Sequence, residues 1–132
     1  MSRSVALCPL DQMVEGQARG FDPFESGRDS VFALVHRGEV RVYRNSCPHL
    51  DVPLEYRKDR YLSATGHRVI CYAHGAQFMP DSGECVFGPC LGQWLTALEY
   101  QCVDGLLALC VDQHGKPIEV SRDAIGRIPG LD

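Results

Sequence analysis

Two short segments of the chain each hold a cysteine and a histidine at the spacing of metal ligands. Cys47 and His49 stand in "CPHL", and Cys71 and His74 stand in "CYAHG", with twenty-one residues between the two pairs. Thiolates and neutral imidazoles bind first-row transition metals, and two of each could complete a tetrahedral zinc site. The sequence therefore predicts a metal centre at these four side chains.

The arrangement of the ligands within each pair favours two metal ions over one. Zinc sites of this composition usually place the two cysteines together and the two histidines together. Here each pair is mixed, so each loop can offer a cysteine to one iron and a histidine to the other. The ligands of a [2Fe–2S] cluster with two cysteines on one iron and two histidines on the other are then complete. A mononuclear zinc site stays open as the alternative.

The elements that must hold these loops are short β-strands. Apolar or alternating runs separated by turn residues recur along the chain, which is typical of an all-β domain. "SVFALVH" and "VRVYRN" flank "RGE", and "DG" joins "WLTALEYQCV" to "LLALCV", so both are predicted hairpins. Further strands are predicted in "SVALC", "QARGF", "HRVICYA" and "ECVFG". "EYRKDRYLSAT", between the two pairs, is predicted to be a loop with room for one helical turn.

Length and composition limit the classes of protein to consider. With 132 residues, 45% hydrophobic and 23% charged, the chain fits one globular domain. We expect a cytoplasmic protein without a membrane partner, because neither a bilayer-spanning run nor a secretory signal is visible. A net charge of −4 argues against nucleic acid as the partner. Seven cysteines in a reducing compartment predict thiols, with Cys102 and Cys110 in the core.

The two ligand segments resemble those of the Rieske iron–sulfur family. "CPHL" and "CYAHGAQF" match its Cys-x-His and Cys-x-x-His-Gly motifs, and Gly88 and Pro89 match the Gly-Pro loop that covers the cluster in that family. The resemblance extends over roughly residues 4–111. It implies an all-β, Rieske-like domain of three small antiparallel β-sheets, with a cluster-binding subdomain formed by two loops. We take residues 1–112 as this domain and 113–132 as a C-terminal extension.

The resemblance also implies the cofactor and its ligands. It implies one [2Fe–2S] cluster of the Rieske type per chain, with Cys47 and Cys71 on the inner iron and His49 and His74 on the outer iron. Cys85 and Cys90 flank the Gly-Pro loop and could in principle form a disulfide, which a reducing cytoplasm disfavours.

Four positions distinguish this chain from the high-potential respiratory members that it resembles. Those members carry a disulfide between the ligand loops, and Val52 and Ala73 stand at the matching positions here. They also place serine and tyrosine hydroxyls near the sulfurs, where this chain has Ala76 and Phe78. Hydrogen bonds to the sulfurs stabilise the reduced cluster, so their loss predicts a low reduction potential. The chain therefore resembles the soluble ferredoxin of a bacterial aromatic-ring oxygenase system.

This resemblance implies a soluble electron carrier rather than an enzyme acting alone. Its partners would be a flavin-dependent reductase, which donates one electron, and a terminal oxygenase, such as a dioxygenase component, which receives it. The alternatives are a small Rieske-like subunit of a nitrite reductase or another multi-component oxidoreductase, and a zinc-stabilised interaction domain. Leu50, Pro89 and Leu91 are predicted to form an apolar rim around the histidines, although Leu50 and Leu91 fit a core role equally well.

Overall fold

The computed structural model describes residues 3–48 and 50–120, and within them nine strands form three separate antiparallel sheets. The first sheet has the order β1-β9-β8, the second β2-β3-β4 and the third β5-β6-β7. The prediction of an all-β domain of three small antiparallel sheets is confirmed. A single turn of 3₁₀ helix, Leu10–Gln12, follows β1. The strands are β1 (Arg3–Pro9), β2 (Ala18–Phe21), β3 (Val31–His36), β4 (Glu39–Arg44), β5 (Val69–Cys71), β6 (Ala76–Phe78), β7 (Cys85–Phe87), β8 (Tyr100–Val103) and β9 (Leu106–Val111).

Both predicted hairpins are present, and each closes through two residues with positive φ. Arg37 and Gly38 have φ of 53° and 77° between β3 and β4, and Asp104 and Gly105 have φ of 51° and 78° between β8 and β9. A two-residue turn in which both residues have positive φ has a twist that matches the twist of the flanking strands. The β3–β4 and β8–β9 pairs therefore owe their register to local turn chemistry.

The second and third sheets share one apolar core. The Phe32 ring of β3 stacks on Tyr61 at 4.3 Å between ring centroids, and the Tyr43 hydroxyl of β4 donates to the Pro80 carbonyl at 2.8 Å. Val69 of β5 and Phe78 of β6 are fully buried in the same cluster. This core holds the third sheet, and with it both ends of the second ligand segment, against the rest of the domain.

Several local predictions need correction. Cys102 is exposed and not in the core, because it lies on the edge strand β8 near the end of the hairpin, whereas Cys110 of β9 is buried as predicted. Strand β6 was not predicted, since its three residues fall inside the second ligand motif. Residues 55–65 contain turns and bends without a helical turn, and Leu62 forms an isolated bridge with Val69.

The described part of the C-terminal segment lies against the first and second sheets. Ile118 accepts a hydrogen bond from the Glu99 amide at 2.8 Å, the Val120 amide donates to Ala97 at 2.8 Å, and Glu119 pairs with Arg44 at 3.1 Å. Residues 121–132 lie outside the described residues, so the division at residue 112 stays a prediction. Within 3–48 and 50–120, no helix is long and apolar enough to cross a membrane.

Candidate metal centre

The second ligand segment is the tight loop between β5 and β6. Cys71 ends β5 with its side chain fully buried, and the Gly75 amide donates to the Cys71 carbonyl at 2.8 Å. Gly75 has φ of 77°, a conformation that glycine adopts without strain, so the chain reverses and Ala76 pairs with Cys71. Residues 72–75 consequently project to the surface, and His74 is exposed.

The first ligand segment is a loop that begins directly after β4. The Cys47 amide donates to the Val52 carbonyl at 2.8 Å, and the Asp51 amide donates to the Cys47 carbonyl at 2.7 Å. These bonds close the loop and turn the Cys47 side chain inward, where it is 1% exposed. His49 is outside the described residues.

A buried polar network connects the first loop to the segment that follows it. The Asn45 side chain accepts from the Leu54 amide at 2.9 Å and donates to the Asp29 carbonyl at 2.8 Å and to Glu55 at 2.9 Å. Tyr61 donates its hydroxyl to Glu55 at 2.6 Å. Burial, followed by this bond to Glu55, raises the pKa of Tyr61, which keeps the hydroxyl protonated as a donor. The network fixes residues 54–61 beside the ligand loops.

One main-chain bond joins the two loops. The Tyr72 amide, next to Cys71, donates to the Leu54 carbonyl at 2.9 Å. Leu54 is the same residue whose amide is held by Asn45, so the network below the first loop also positions the second.

The two cysteine sulfurs meet at the base of the loops. The Cys47 thiol and the amides of Ala73 and His74 are the polar neighbours that act on the Cys71 thiol. Burial raises the pKa of the Cys71 thiol, the Ala73 amide lowers it, the neighbouring Cys47 raises it and the His74 amide lowers it, with a net rise. The amide donors stabilise the negative charge of a thiolate at Cys71, and the thiolate is the form of cysteine that binds a metal.

The loop after β7 forms the third side of this centre. A Cβ at Gly88 would lie 2.9 Å from the Ala76 Cα, so the loop packs backbone to backbone against β6. Two residues on, the Cys90 sulfur lies 3.6 Å from the Cys47 sulfur and is fully buried. The Cys85 thiol instead donates to the Phe87 carbonyl at 3.3 Å. The sulfurs of Cys85 and Cys90 therefore face different neighbours.

Exposed apolar side chains lie on the first ligand loop, at the end of β7 and on the loop that follows β7. Leu50 is 53% exposed, Phe87 60% and Leu91 65%, and Pro89 is exposed as well. Leu50 and Leu91 are therefore not core residues, which leaves the predicted apolar rim. Phe87 was not predicted to join them.

A surface groove of about 950 Å³ borders the second loop on its other side. Tyr72 lies in its wall, packed edge-on against Tyr56 at 4.7 Å between ring centroids. Lys58 and Arg60 line the groove as well, and the Arg57 guanidinium lies 5.4 Å from the Tyr56 ring centroid. The basic segment 56–60 is thus adjacent to the second ligand loop.

The described residues fit a two-iron centre. In a [2Fe–2S] cluster of the mixed type each iron has two protein ligands, so pairs of side chains converge rather than groups of three or four. Cys47 and Cys71 form such a buried pair, and His74, three residues after Cys71, is exposed.

Small antiparallel sheets carrying loops that gather buried thiols define a β protein with a sulfur-rich metal centre. Residues 3–113 match the family described as the Rieske [2Fe-2S] domain, and the chain belongs to that family. The recognition of the family and the prediction of a [2Fe–2S] cofactor are thereby confirmed. The assignment of the four individual ligands remains a prediction.

Solved structures share this fold at low sequence identity. The ferredoxin of carbazole 1,9a-dioxygenase from Nocardioides aromaticivorans IC177 is 21% identical with a TM-score of 0.59, over 80% of this chain and 94% of that one. A Sphingomonas yanoikuyae B1 ferredoxin is 22% identical with a TM-score of 0.59, over 84% of this chain and 99% of that ferredoxin. The terminal oxygenase of carbazole 1,9a-dioxygenase from the same Nocardioides strain is 18% identical with a TM-score of 0.60. The match covers 90% of this chain but only 30% of the oxygenase chain. No curated protein matches the sequence.

Proposed function

We propose that the chain is a one-electron carrier of the ferredoxin type that delivers electrons to a terminal oxygenase. The observation that carries this proposal is the pair of buried, neighbouring thiols of Cys47 and Cys71, with the exposed His74 on the same loop as Cys71. A [2Fe–2S] cluster bound there supplies a one-electron couple. The chain's own residues hold it, exclude water from the sulfurs and present a histidine to a partner.

The proposed ligands are Cys47 and Cys71 for the inner iron and His49 and His74 for the outer iron. The two cysteines are buried and adjacent, and the amides of Ala73 and His74 provide donors toward Cys71. His74 stands three residues after Cys71 on a loop closed by Gly75, which lets the imidazole face outward. His49 enters the set from its sequence position.

The proposed partners are a flavin-dependent reductase and a terminal oxygenase. Support for the oxygenase comes from a solved complex of oxygenase and ferredoxin in carbazole 1,9a-dioxygenase, whose matching chain is 18% identical with a TM-score of 0.63. The exposed side chains of Leu50, Phe87 and Leu91 offer such a partner apolar surface, and His74 is exposed as well. The reductase is proposed because a carrier needs an electron donor.

We place the reduction potential at the low end of the family range. Ala76 and Phe78 are buried and have no hydroxyl to offer the sulfurs, and Val52 and Ala73 cannot form a disulfide across the loops. A reducing compartment, for which we propose the cytoplasm, suits the thiols of Cys8, Cys71, Cys85 and Cys110.

A reductive titration tests the electron-carrier function together with the ligand set. The wild-type protein should take up about one electron per chain from dithionite and return it on reoxidation. Cys71→Ala and His74→Ala should lose this capacity along with their iron. His67→Ala is the matched control, because His67 is an exposed histidine near the second loop with no cysteine at ligand spacing. Full uptake in Cys71→Ala, or none in the wild type, would refute the proposal.

A further inference from the structure

Beside the proposed ligand pair lies a third buried thiol, that of Cys90. Its sulfur is 3.6 Å from the Cys47 sulfur, which is a hydrogen-bonding distance for two sulfur atoms. The backbone of Cys90 is fixed, because the Gln93 amide donates to its carbonyl at 2.9 Å and Gly88 packs against Ala76. The contact is therefore built into the loop after β7.

The chemistry of a metal ligand decides the direction of this hydrogen bond. Between two neutral thiols either sulfur could donate the proton. A cysteine bound to iron is a thiolate and has no proton to give. Once Cys47 is a ligand, only Cys90 can be the donor and the Cys47 sulfur must accept.

A donor at a ligand sulfur favours the more negative state of the metal centre. Reduction adds one electron to the cluster, so a hydrogen bond to a ligand sulfur is stronger in the reduced state. We propose that the Cys90 thiol donates to the Cys47 sulfur and raises the reduction potential of the cluster. Cys90 acts through Cys47 and is a positioning residue. This inference rests on the proposed function, through the assignment of Cys47 as a ligand.

Cys90 compensates in part for donors that the chain lacks. Ala76 and Phe78 have no hydroxyl to donate to a sulfur. The Cys90 thiol supplies a side-chain donor instead, and it faces the Cys47 sulfur. The potential is then set by the amides of Ala73 and His74 at one sulfur and by Cys90 at the other.

The test is a redox titration, monitored by electron paramagnetic resonance, of the loaded wild-type protein, Cys90→Ala, Cys90→Ser and Cys85→Ala. Cys90→Ala should keep its iron and sulfide and show a more negative midpoint potential. The equilibrium constant for reduction should fall by up to about tenfold, which is about 59 mV for a one-electron couple. Cys90→Ser keeps a donor and should restore much of the shift. Cys85→Ala removes a buried thiol that donates to the Phe87 carbonyl and should leave the potential unchanged.

The outcomes separate this inference from the proposed function. A wild-type protein that binds no cluster refutes the proposed function, whereas a loaded Cys90→Ala with the wild-type potential overturns only the role of Cys90. A shift of equal size in Cys85→Ala also overturns it, because loop packing would then be the cause. If Cys90→Ala does not load, Cys90→Val fills the site without a donor and should show the same fall. If neither Cys90→Ala nor Cys90→Val binds the cluster while Cys85→Ala does, the proposed effect of Cys90 on the potential is overturned. Cys90 would then be needed to hold the cluster.

The sulfur contact can be tested on metal-free protein as well. Diamide should oxidise the thiols of Cys47 and Cys90 to a disulfide, with two electrons and two protons passing to the diamide. Peptide mass spectrometry should find this pairing ahead of Cys85–Cys90. Preferential Cys85–Cys90 pairing would contradict the contact on which the inference depends.

Discussion

At the residue scale, the centre depends on how closely the loop after β7 approaches the second ligand loop. Gly88 has φ of 99°, and a Cβ at this position would be 2.9 Å from the Ala76 Cα, which is a backbone atom that cannot rotate away. Ala76 is the strand partner of Cys71. A displacement of the loop at Gly88 therefore opens the cover of the two cysteines.

Gly88→Ala should reduce cluster retention, measured as iron and sulfide per chain after purification and after a mild chelator challenge. Gly92→Ala is the matched control, since Gly92 also has positive φ, 86°, but a Cβ added there would meet no atom within 4 Å. Both variants carry the conformational strain of alanine at positive φ, on the order of 1 kcal/mol. Equal retention by the two variants would show that the close approach to Ala76 does not matter.

The sequence was sufficient to predict the adjacency of Cys47 and Cys71 but not that of Cys90. Ligand spacing links each cysteine with the histidine of its own motif, and the resemblance to the Rieske family implies that the two cysteines share one iron. The Cys47–Cys90 contact joins residues 43 apart and follows from the packing of Gly88 on Ala76. The Gly-Pro motif at Gly88 and Pro89 predicted a loop over the cluster, but no local pattern indicates that the Cys90 thiol faces Cys47, so only the fold could reveal that contact.

At the scale of elements, the segment from Asn45 to Tyr61 is the support of both ligand loops. Asn45 is 1% exposed and holds the Leu54 amide, while the Leu54 carbonyl accepts from Tyr72 in the second loop. This is a buried network in which each member depends on the others.

Asn45→Ala should lower the free energy of unfolding by about 1–3 kcal/mol, because the buried Leu54 amide loses its acceptor. It should also weaken cluster retention, since Leu54 positions Tyr72. Chemical denaturation of the purified protein measures the first effect and iron content the second. Ser63→Ala serves as the control, because its hydroxyl accepts from the Arg68 amide in a more exposed turn at 3.2 Å. A loss in Asn45→Ala no larger than that in Ser63→Ala would contradict the network's role.

The basic segment 56–60 is a second functional element, next to the second ligand loop. Lys58 is held by Asp29 at 2.8 Å, whereas Arg57 lies over Tyr56, which contacts Tyr72. In a chain with net charge −4, this placement gives a local positive surface beside the proposed electron exit.

Arg57→Glu should slow reduction of the loaded protein by an anionic donor at low salt, by at least about twofold. Flash-generated flavin mononucleotide semiquinone is the anionic probe, and lumiflavin is the neutral one. Only the rate with the anionic probe should change, and the effect should vanish at high ionic strength. Lys116→Glu makes the same charge change in the turn after β9. An equal effect in Lys116→Glu would show that the rate depends on the net charge of the protein and not on the position of Arg57.

Elements with strong local signals were predicted well, and those without were missed. The two hairpins have turn residues at positive φ, Arg37–Gly38 and Asp104–Gly105, and both were predicted. Strand β6 is three residues long and is defined by its pairing with β5 and β7, so its alternation of apolar and polar residues is too short to be recognised in the sequence. The exposure of Cys102 depends on β8 being the edge of its sheet, which is a property of the topology.

At the scale of the whole molecule, the shared core of the second and third sheets places the thiols, His74 and the exposed apolar side chains together. Cys47, Cys71 and Cys90 belong to the same buried cluster as Phe32, while Leu50, Phe87 and Leu91 remain at the surface of the same loops. Burial of the sulfurs and exposure of a histidine are the two requirements of a protein that must protect a cluster and still pass an electron.

The central claim is that Cys47, His49, Cys71 and His74 hold a [2Fe–2S] cluster. Its most direct test is an electron paramagnetic resonance spectrum of the purified protein after dithionite reduction, with iron, sulfide and zinc counted on the same sample. We expect a rhombic signal typical of histidine-ligated clusters, at about two irons and two sulfides per chain. A silent spectrum with about one zinc per chain would contradict the claim and leave a structural metal site.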